Sequence, residues 1–454
     1  MKYDSFLESK AQSSVMEGFT PNYMPDFLFD FQSMVVDWSL RKGKSAIFAD
    51  CGLGKTPMQL VWAENVTRHT NKPVLILTPL SVSPQTIREG NKFGIDVYRS
   101  LNGQGNKSII VANYEKLHYF NSNDFAGVVC DESSILKSFD GIRRTAITEF
   151  MRQVPYRLLC TATAAPNDYI ELGTSSEALG ELGYTDMITR FFTPSTKSGF
   201  FRRSLYGVGE YRFKGHAEEP FWRWVCSWAR SLRKPSDMGC DNGPFVLPEL
   251  NEVETIIKAT NPRSGMLFDI PAVGFHEERE VRRRTIPERC ESAATKVINT
   301  GKPAVIWCHL NDEGDELARI IPGSIQVSGK DSDELKETKL EAFRNGELRV
   351  LIIKPKIGAF GLNWQHCSHV VYFMSHSYEQ YYQAVRRCWR FGQTQPVTVD
   401  LIRTDGEERI SNNLKRKTEA ASRMFADLVN YMNNAMKIDT NRNYNSHMEV
   451  PKWL

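Results

Sequence analysis

Ala49-Asp-Cys-Gly-Leu-Gly-Lys-Thr56 follows the apolar run Ala46 to Phe48 and precedes the helical pattern Met58 to Val66. A strand, a glycine-rich loop ending in Lys-Thr, and then a helix is the context of a phosphate-binding loop, and it commits the chain to an α/β architecture. Gly52 and Gly54 let backbone amides turn toward phosphate oxygens, Lys55 supplies a positive point charge, and Thr56 offers a hydroxyl to a magnesium ion. Where the usual pattern opens on glycine this chain has Ala49. That position needs a compact side chain more than a positive φ.

Asp131-Glu132 follows the run Phe125 to Cys130, which reads as a buried strand. Two carboxylates at a strand end commonly form no more than a helix-capping turn. Beside a phosphate-binding loop they take on separate roles: Asp131 holds magnesium and Glu132 polarises the attacking water. Further apolar runs, Val74 to Leu77, Ser108 to Val111 and Arg157 to Cys160, complete one series of strands alternating with helical stretches. A second series begins after Pro248, at 252–257, 305–308, 325–327, 350–353, 370–373 and 397–401. Alternation of this kind predicts parallel sheets covered on both faces.

The segment Gln383-Ala-Val-Arg-Arg-Cys-Trp-Arg-Phe-Gly-Gln393 lies in the second series. Ser377 as N-cap, Gln380 three residues on and Gly392 as a stop predict a helix over 378–391. Gln380, Gln383, Arg387 and Arg390 then share one face, and the planar, permanently charged forks of the two arginines suit phosphate oxygens. Such a face is an arginine-finger pair if a nucleotide lies opposite, and an ordinary solvated basic face otherwise.

Together these segments resemble the superfamily 2 helicase-like ATPases, and within them the SNF2 group of DNA translocases in its short phage and bacterial form. The resemblance runs from about Phe27 to about Ile410, with its motifs in the family's order. It implies two tandem RecA-like parallel-sheet lobes with an accessory, helical insertion, and ATP with Mg2+ as cofactors. Catalysis falls to Lys55, Asp131, Glu132, Arg387 and Arg390, and the metal to Thr56 and Asp131. Phe31-Gln32 stands where the family places an adenine-reading glutamine. Gly52, Gly54, Lys55, Thr56, Gly358 and Gln383 complete the nucleotide-binding set, Gly358 opening the second-lobe motif Gly358-Ala-Phe-Gly-Leu-Asn363. Leu77 to Ser81 and Ala112 to Leu117 resemble backbone-contacting segments, which makes Ser81, Asn113 and Tyr114 nucleic-acid candidates. Cys160 to Asn167 resembles the motif that couples hydrolysis to movement, through Thr161 and Thr163 with Ser134. Two positions depart from the pattern: Ser134 stands where relatives often carry histidine, and Ala162 where many carry glycine. Serine hydrogen-bonds but takes up no proton near neutral pH, so the departure bears on coupling more than on hydrolysis.

The boundaries drawn from sequence are a first lobe over 1–172, an accessory segment over 173–248, a second lobe over 249–430 and a tail over 431–454. From Arg190 to Lys234 ten Lys or Arg stand against three Glu, in a chain whose net charge is +3. The segment is expected to lie outside both sheets. Aromatic residues interleave with this charge, as in a nucleic-acid surface. Phe221, Trp224, Val225 and Trp228, at helical spacing, read better as an accessory core, while Arg202, Arg203 and Arg212 are the candidates for DNA contact. Nine cysteines without a CxxC pair, and no signal-like or membrane-length apolar run, lead to the expectation of a reduced cytoplasm, bacterial or phage-infected, with no membrane partner. A monomer acting on duplex or branched DNA is the expected working form, targeted by a protein partner, by DNA structure or by the accessory segment. A strand-separating helicase and a nucleotide-gated DNA clamp are the alternatives.

Overall fold

The computed structural model describes residues 16–445 apart from 106–107, 138–140, 166–167, 195–210, 259–274 and 359–361. The chain divides into two compact units, the first made of Met1–Thr78, Thr86–Asn242 and Ala421–Leu454, the second of Pro79–Gln85 and Gly243–Ala420.

In the first unit the strands are β1 (Lys44–Ala49), β2 (Val74–Thr78), β3 (Val97–Arg99), β4 (Ile109–Asn113), β5 (Gly127–Asp131) and β6 (Tyr156–Thr161), then a small antiparallel hairpin of β7 (Phe192–Pro194) and β8 (Tyr211–Phe213), then β9 (Ala229–Leu232). Apart from the hairpin they form one sheet in the order β3-β4-β2-β5-β6-β1-β9, parallel at every pairing. β2, β4 and β5 are buried along their whole length, the environment that makes parallel strands read as continuous apolar runs. β3 is a three-residue edge strand, too short to leave a periodic signal in the sequence.

β9 corrects one expectation, because part of the basic, aromatic segment does belong to a sheet: Ala229 to Leu232 pair in register with Ala46 to Ala49 of β1. The preceding helix, Glu218–Trp228, buries Phe221, Trp222, Trp224, Val225 and Trp228. Trp228 meets Phe48 of β1 edge-on at 6.1 Å, and Phe221 packs on Phe191, Phe192 and Phe213 at 5.2 to 5.4 Å. These rings make a core that welds the segment onto the first sheet. The long helix Glu408–Asn445 rejoins the first unit from Ala421 onward. There Arg233 donates to the Ala421 carbonyl at 3.3 Å and lies 4.6 Å over the Phe425 ring, and Met424, Leu428 and Met432 are buried. The packing boundary therefore falls ten residues before the tail expected from sequence.

In the second unit β10 (Leu250–Ile257), β11 (Ala304–Trp307), β12 (Ser324–Val327), β13 (Val350–Ile353), β14 (His369–Phe373) and β15 (Val397–Thr404) form a second parallel sheet, in the order β10-β15-β14-β11-β13-β12. One face is closed by the helix Ile286–Thr300 through Cys290, Ala293 and Val297, packed with Ile306, Ile352 and Val371. Both units thus carry a parallel α/β sheet of the kind the sequence alternation predicts. Among the described residues no helix is long and apolar enough to cross a membrane.

Because Trp228 joins the aromatic helix to β1, Trp228→Ala is expected to cost about 3–5 kcal/mol of stability in the first unit. Chemical denaturation followed by circular dichroism measures the loss.

Candidate active site

The loop between β1 and the helix Lys55–Thr70 turns on two glycines with positive φ, Gly52 at 92° and Gly54 at 76°. Ala49 needs no such conformation and sits buried as the last residue of β1. Gly54 is also required sterically, since a Cβ there would stand 2.2 Å from Nε2 of Gln32. That amide donates to the Leu53 carbonyl at 2.9 Å, and its oxygen accepts from the Phe29 amide at 3.0 Å. Gln32 is thereby a brace for the loop as well as an adenine candidate. The ammonium of Lys55 turns back into the loop, donating to the carbonyl of Ala49 at 2.9 Å and reaching that of Asp50 at 3.4 Å.

Asp131 ends β5, two strands from β1, and Glu132 is the next residue. Both are buried. Glu132 has φ 54°, a left-handed conformation that costs a non-glycine residue about 1–3 kcal/mol. The strain turns the chain sharply at the sheet end, where the short helix Ser133–Lys137 follows and Ser134 is buried. Oδ1 of Asp131 accepts from Nε2 of Gln59 at 2.7 Å, and its main-chain carbonyl accepts from the Tyr114 hydroxyl at 2.6 Å. Burial, and next the charge of Glu132, push the Asp131 carboxyl up to about 7, against the opposing pull of Gln59 and Lys55. Thr161, at the end of β6, reaches Oε2 of Glu132 at 3.5 Å and accepts from the Thr163 amide at 3.0 Å. Of the three coupling residues expected from sequence, Thr161 touches the carboxylate pair directly and Thr163 joins it only through the Thr161 hydroxyl.

These residues fit a magnesium ion. A buried carboxylate held by an uncharged amide, with the Thr56 hydroxyl at a helix start, is the sparse protein share typical of a magnesium site completed by phosphates and water. Among the described residues no cluster of three or more metal-ligating side chains offers a competing site.

In the second unit the arginine segment differs from the single helix expected. The helix is Tyr378–Val385, N-capped by Ser377, whose Oγ accepts from the Gln380 amide at 3.3 Å. Beyond Val385 the backbone tightens into turns, with the amides of Arg387 and Cys388 bonded to carbonyls three residues back, and Gly392 has φ 88°. In this stretch the Trp389 indole donates to the Pro248 carbonyl at 2.7 Å. Arg387 and Arg390 still come together, because each donates to the Leu362 carbonyl at 3.2 Å. Arg387, only 2% exposed, also donates to the carbonyl of Gln383 at 2.9 Å and to its Oε1 at 2.8 Å. Gly358 is packed so closely that a Cβ would lie 2.4 Å from Cδ1 of Ile353.

The nucleic-acid candidates separate. Arg212 is exposed on β8 and Ser81 is half-buried in the turn after β2. Tyr114 departs from its expected surface role: it is buried, and its hydroxyl is spent on Asp131. Asn113, at the end of β4, is buried beside it. Arg202 and Arg203 lie outside the described residues. Sequence reasoning missed Gln59 and the brace made by Tyr114, since both depend on strands distant in the chain.

Two stability effects follow from this geometry. In the unfolded chain Asp131 ionises near its ordinary value of 3.8, but in the folded state only near 7. Between those values the folded state binds more protons, so this group erodes stability as pH rises. Asp131→Asn should therefore gain stability over the wild type progressively from about pH 4 to about pH 7, with a constant difference above, as read from thermal midpoints across pH. Arg387→Ala removes the bonds to the Gln383 carbonyl and Oε1 and one of the two to the Leu362 carbonyl, and should destabilise the second unit by about 1–3 kcal/mol, whereas Arg390→Ala should cost less, as read by urea denaturation.

The helicase conserved C-terminal domain family matches residues 291–392. "Putative protein p41" of Acyrthosiphon pisum secondary endosymbiont phage 1 is 22% identical over 456 residues, covering 85% of this chain and 93% of that protein. "Bifunctional helicase and thymine dioxygenase JBP2" of Leishmania infantum and of Leishmania major is 39% identical over 75 residues, which span 16% of this chain and 7% of those proteins. The solved Sulfolobus solfataricus SWI2/SNF2 ATPase core in complex with dsDNA aligns with TM-score 0.42 and 16% identity, covering 88% of this chain and 93% of that one. The region that matches the helicase conserved C-terminal domain thus lies wholly in the second unit, while the first unit carries the glycine loop and the buried carboxylate pair at its sheet end.

Proposed function

We propose that this helicase-type ATPase is stimulated by DNA and translocates on duplex or branched DNA, remodelling what it meets. The observation that carries the reading is the first unit's sheet end, where Lys55, the glycine turns and the strained Asp131-Glu132 pair are already assembled. The loop amides and Lys55 hold the phosphates. Thr56 and Asp131 hold Mg2+, which when bound neutralises phosphate charge. Glu132 orients the attacking water and accepts its proton. Thr161 reports the state of that carboxylate to the segment that follows β6. We assign Arg387 and Arg390 to the charge that develops on the transferred phosphoryl group, a contribution worth on the order of 10³-fold or more in comparable NTPases. DNA is favoured over RNA by the Arg390-Phe-Gly-Gln393 ending of the arginine segment. Contacts made to phosphates rather than bases leave sequence selection to DNA structure or a protein partner.

Steady-state hydrolysis measured without nucleic acid, and with single-stranded DNA, duplex DNA, forked DNA and duplex RNA, tests the reading. Strong stimulation by duplex or forked DNA is expected, lost in Lys55→Ala; equal rates on every substrate would overturn it. Glu132→Gln should abolish turnover while ATP still binds, and wild-type turnover in that variant would show the water-activating group to be another residue.

A further inference from the structure

Gln59 lies on the helix that follows the phosphate-binding loop, four residues beyond Lys55, and is completely buried. Its Nε2 donates to Oδ1 of Asp131 at 2.7 Å across 72 residues of sequence. The main-chain carbonyl of Asp131 accepts from the Tyr114 hydroxyl at 2.6 Å, so the residue is held at both its backbone and its side chain. The other atom of the Gln59 amide, Oε1, is buried without a hydrogen-bond partner among the described residues. A glutamine used only to fill the core would not leave an acceptor open beside a buried carboxylate, since a methionine or leucine fills such a space without that cost.

We propose that Gln59 is a positioning residue for the magnesium site: its N–H takes one carboxylate oxygen of Asp131 and fixes the rotamer, leaving the other oxygen for the metal. The inference builds on the nucleotide-site assignment above. An aspartate free to rotate about χ1 and χ2 must be ordered when the ion arrives, and one tied by an amide is ordered beforehand. Partners of this kind, one step removed from the ion, change metal affinity by about 10–100-fold when removed. An uncharged amide is suited to the task, because it orients the carboxylate without neutralising it as a lysine or arginine would. The role differs from that of Lys55, whose ammonium bonds to loop carbonyls and is placed to meet phosphate.

The test is direct binding rather than turnover. A fluorescent ADP analogue is titrated into wild type, Gln59→Met and Gln59→Asn, each with EDTA and across a magnesium series, beside thermal unfolding of each apo protein. Gln59→Met removes the donor at nearly constant length, and Gln59→Asn withdraws it by one carbon. The expected result is a rise of about 10-fold in the magnesium concentration that half-saturates the tighter binding, with EDTA affinity and apo midpoint close to wild type. An unchanged magnesium dependence in both variants overturns the proposal, as does an equal loss of affinity with and without magnesium, which marks a purely structural residue. Wild-type protein that binds the analogue under neither condition would instead sink the nucleotide-site reading and this inference with it.

Discussion

Two neighbouring carboxylates buried at the end of a parallel strand are the constraint around which the first unit is arranged. Desolvation, and next the charge of Glu132, work against the ionised form of Asp131, and the Gln59 amide and the charge of Lys55 oppose them. Gln59 comes from one helix, Tyr114 from the turn after β4, and Thr161 from β6. Each partner is where it is because the sheet order places β5 between β2 and β6, with β1 and its loop one strand further. A different strand order would keep the sequence motifs and lose the site.

The second unit solves a related problem with charges of the other sign. Arg387 and Arg390 would repel if left alone, and the Leu362 carbonyl gathers both. Elsewhere in the same unit Arg289 is buried against Glu313 at 2.6 Å, while Glu313 also accepts from the amides of His309 and Leu310, fixing the chain where it leaves β11. Burial holds the imidazole of His309 down to about 4, so it stays neutral while its Nε2 contacts the Phe373 carbonyl. These interactions tie the end of β11 to the following helix and to β14.

Much of this was legible in the sequence, for reasons that differ by residue. The phosphate-binding loop was readable because its chemistry is local: glycines, lysine and threonine act within eight positions, and strand and helix patterns flank them. Buried parallel strands were readable as apolar runs, and β3 was not, because three residues carry no period. The helix over 378–391 was overestimated because capping signals describe local preference, whereas in the second half, which forms turns, Trp389 and Gln393 bond to Pro248, Cys367 and Cys388. β9 was hidden by the charge and aromatic content around it, features of composition that say nothing about pairing with β1. Tyr114 looked like a surface residue because a motif gives positions without depth.

The Lys55 ammonium, bonded to the carbonyls of Ala49 and Asp50, ties the glycine loop to the end of β1. A loop tied by its own side chain keeps its shape, so on the proposed function a nucleotide would meet a preformed cradle and lose little affinity to ordering it. The exchange carries a toll of its own, because the incoming group must outcompete two carbonyl oxygens. On the proposed function a chain of phosphates would do so and a bare nucleoside would not, which would make one lysine selective for the charged end of the ligand.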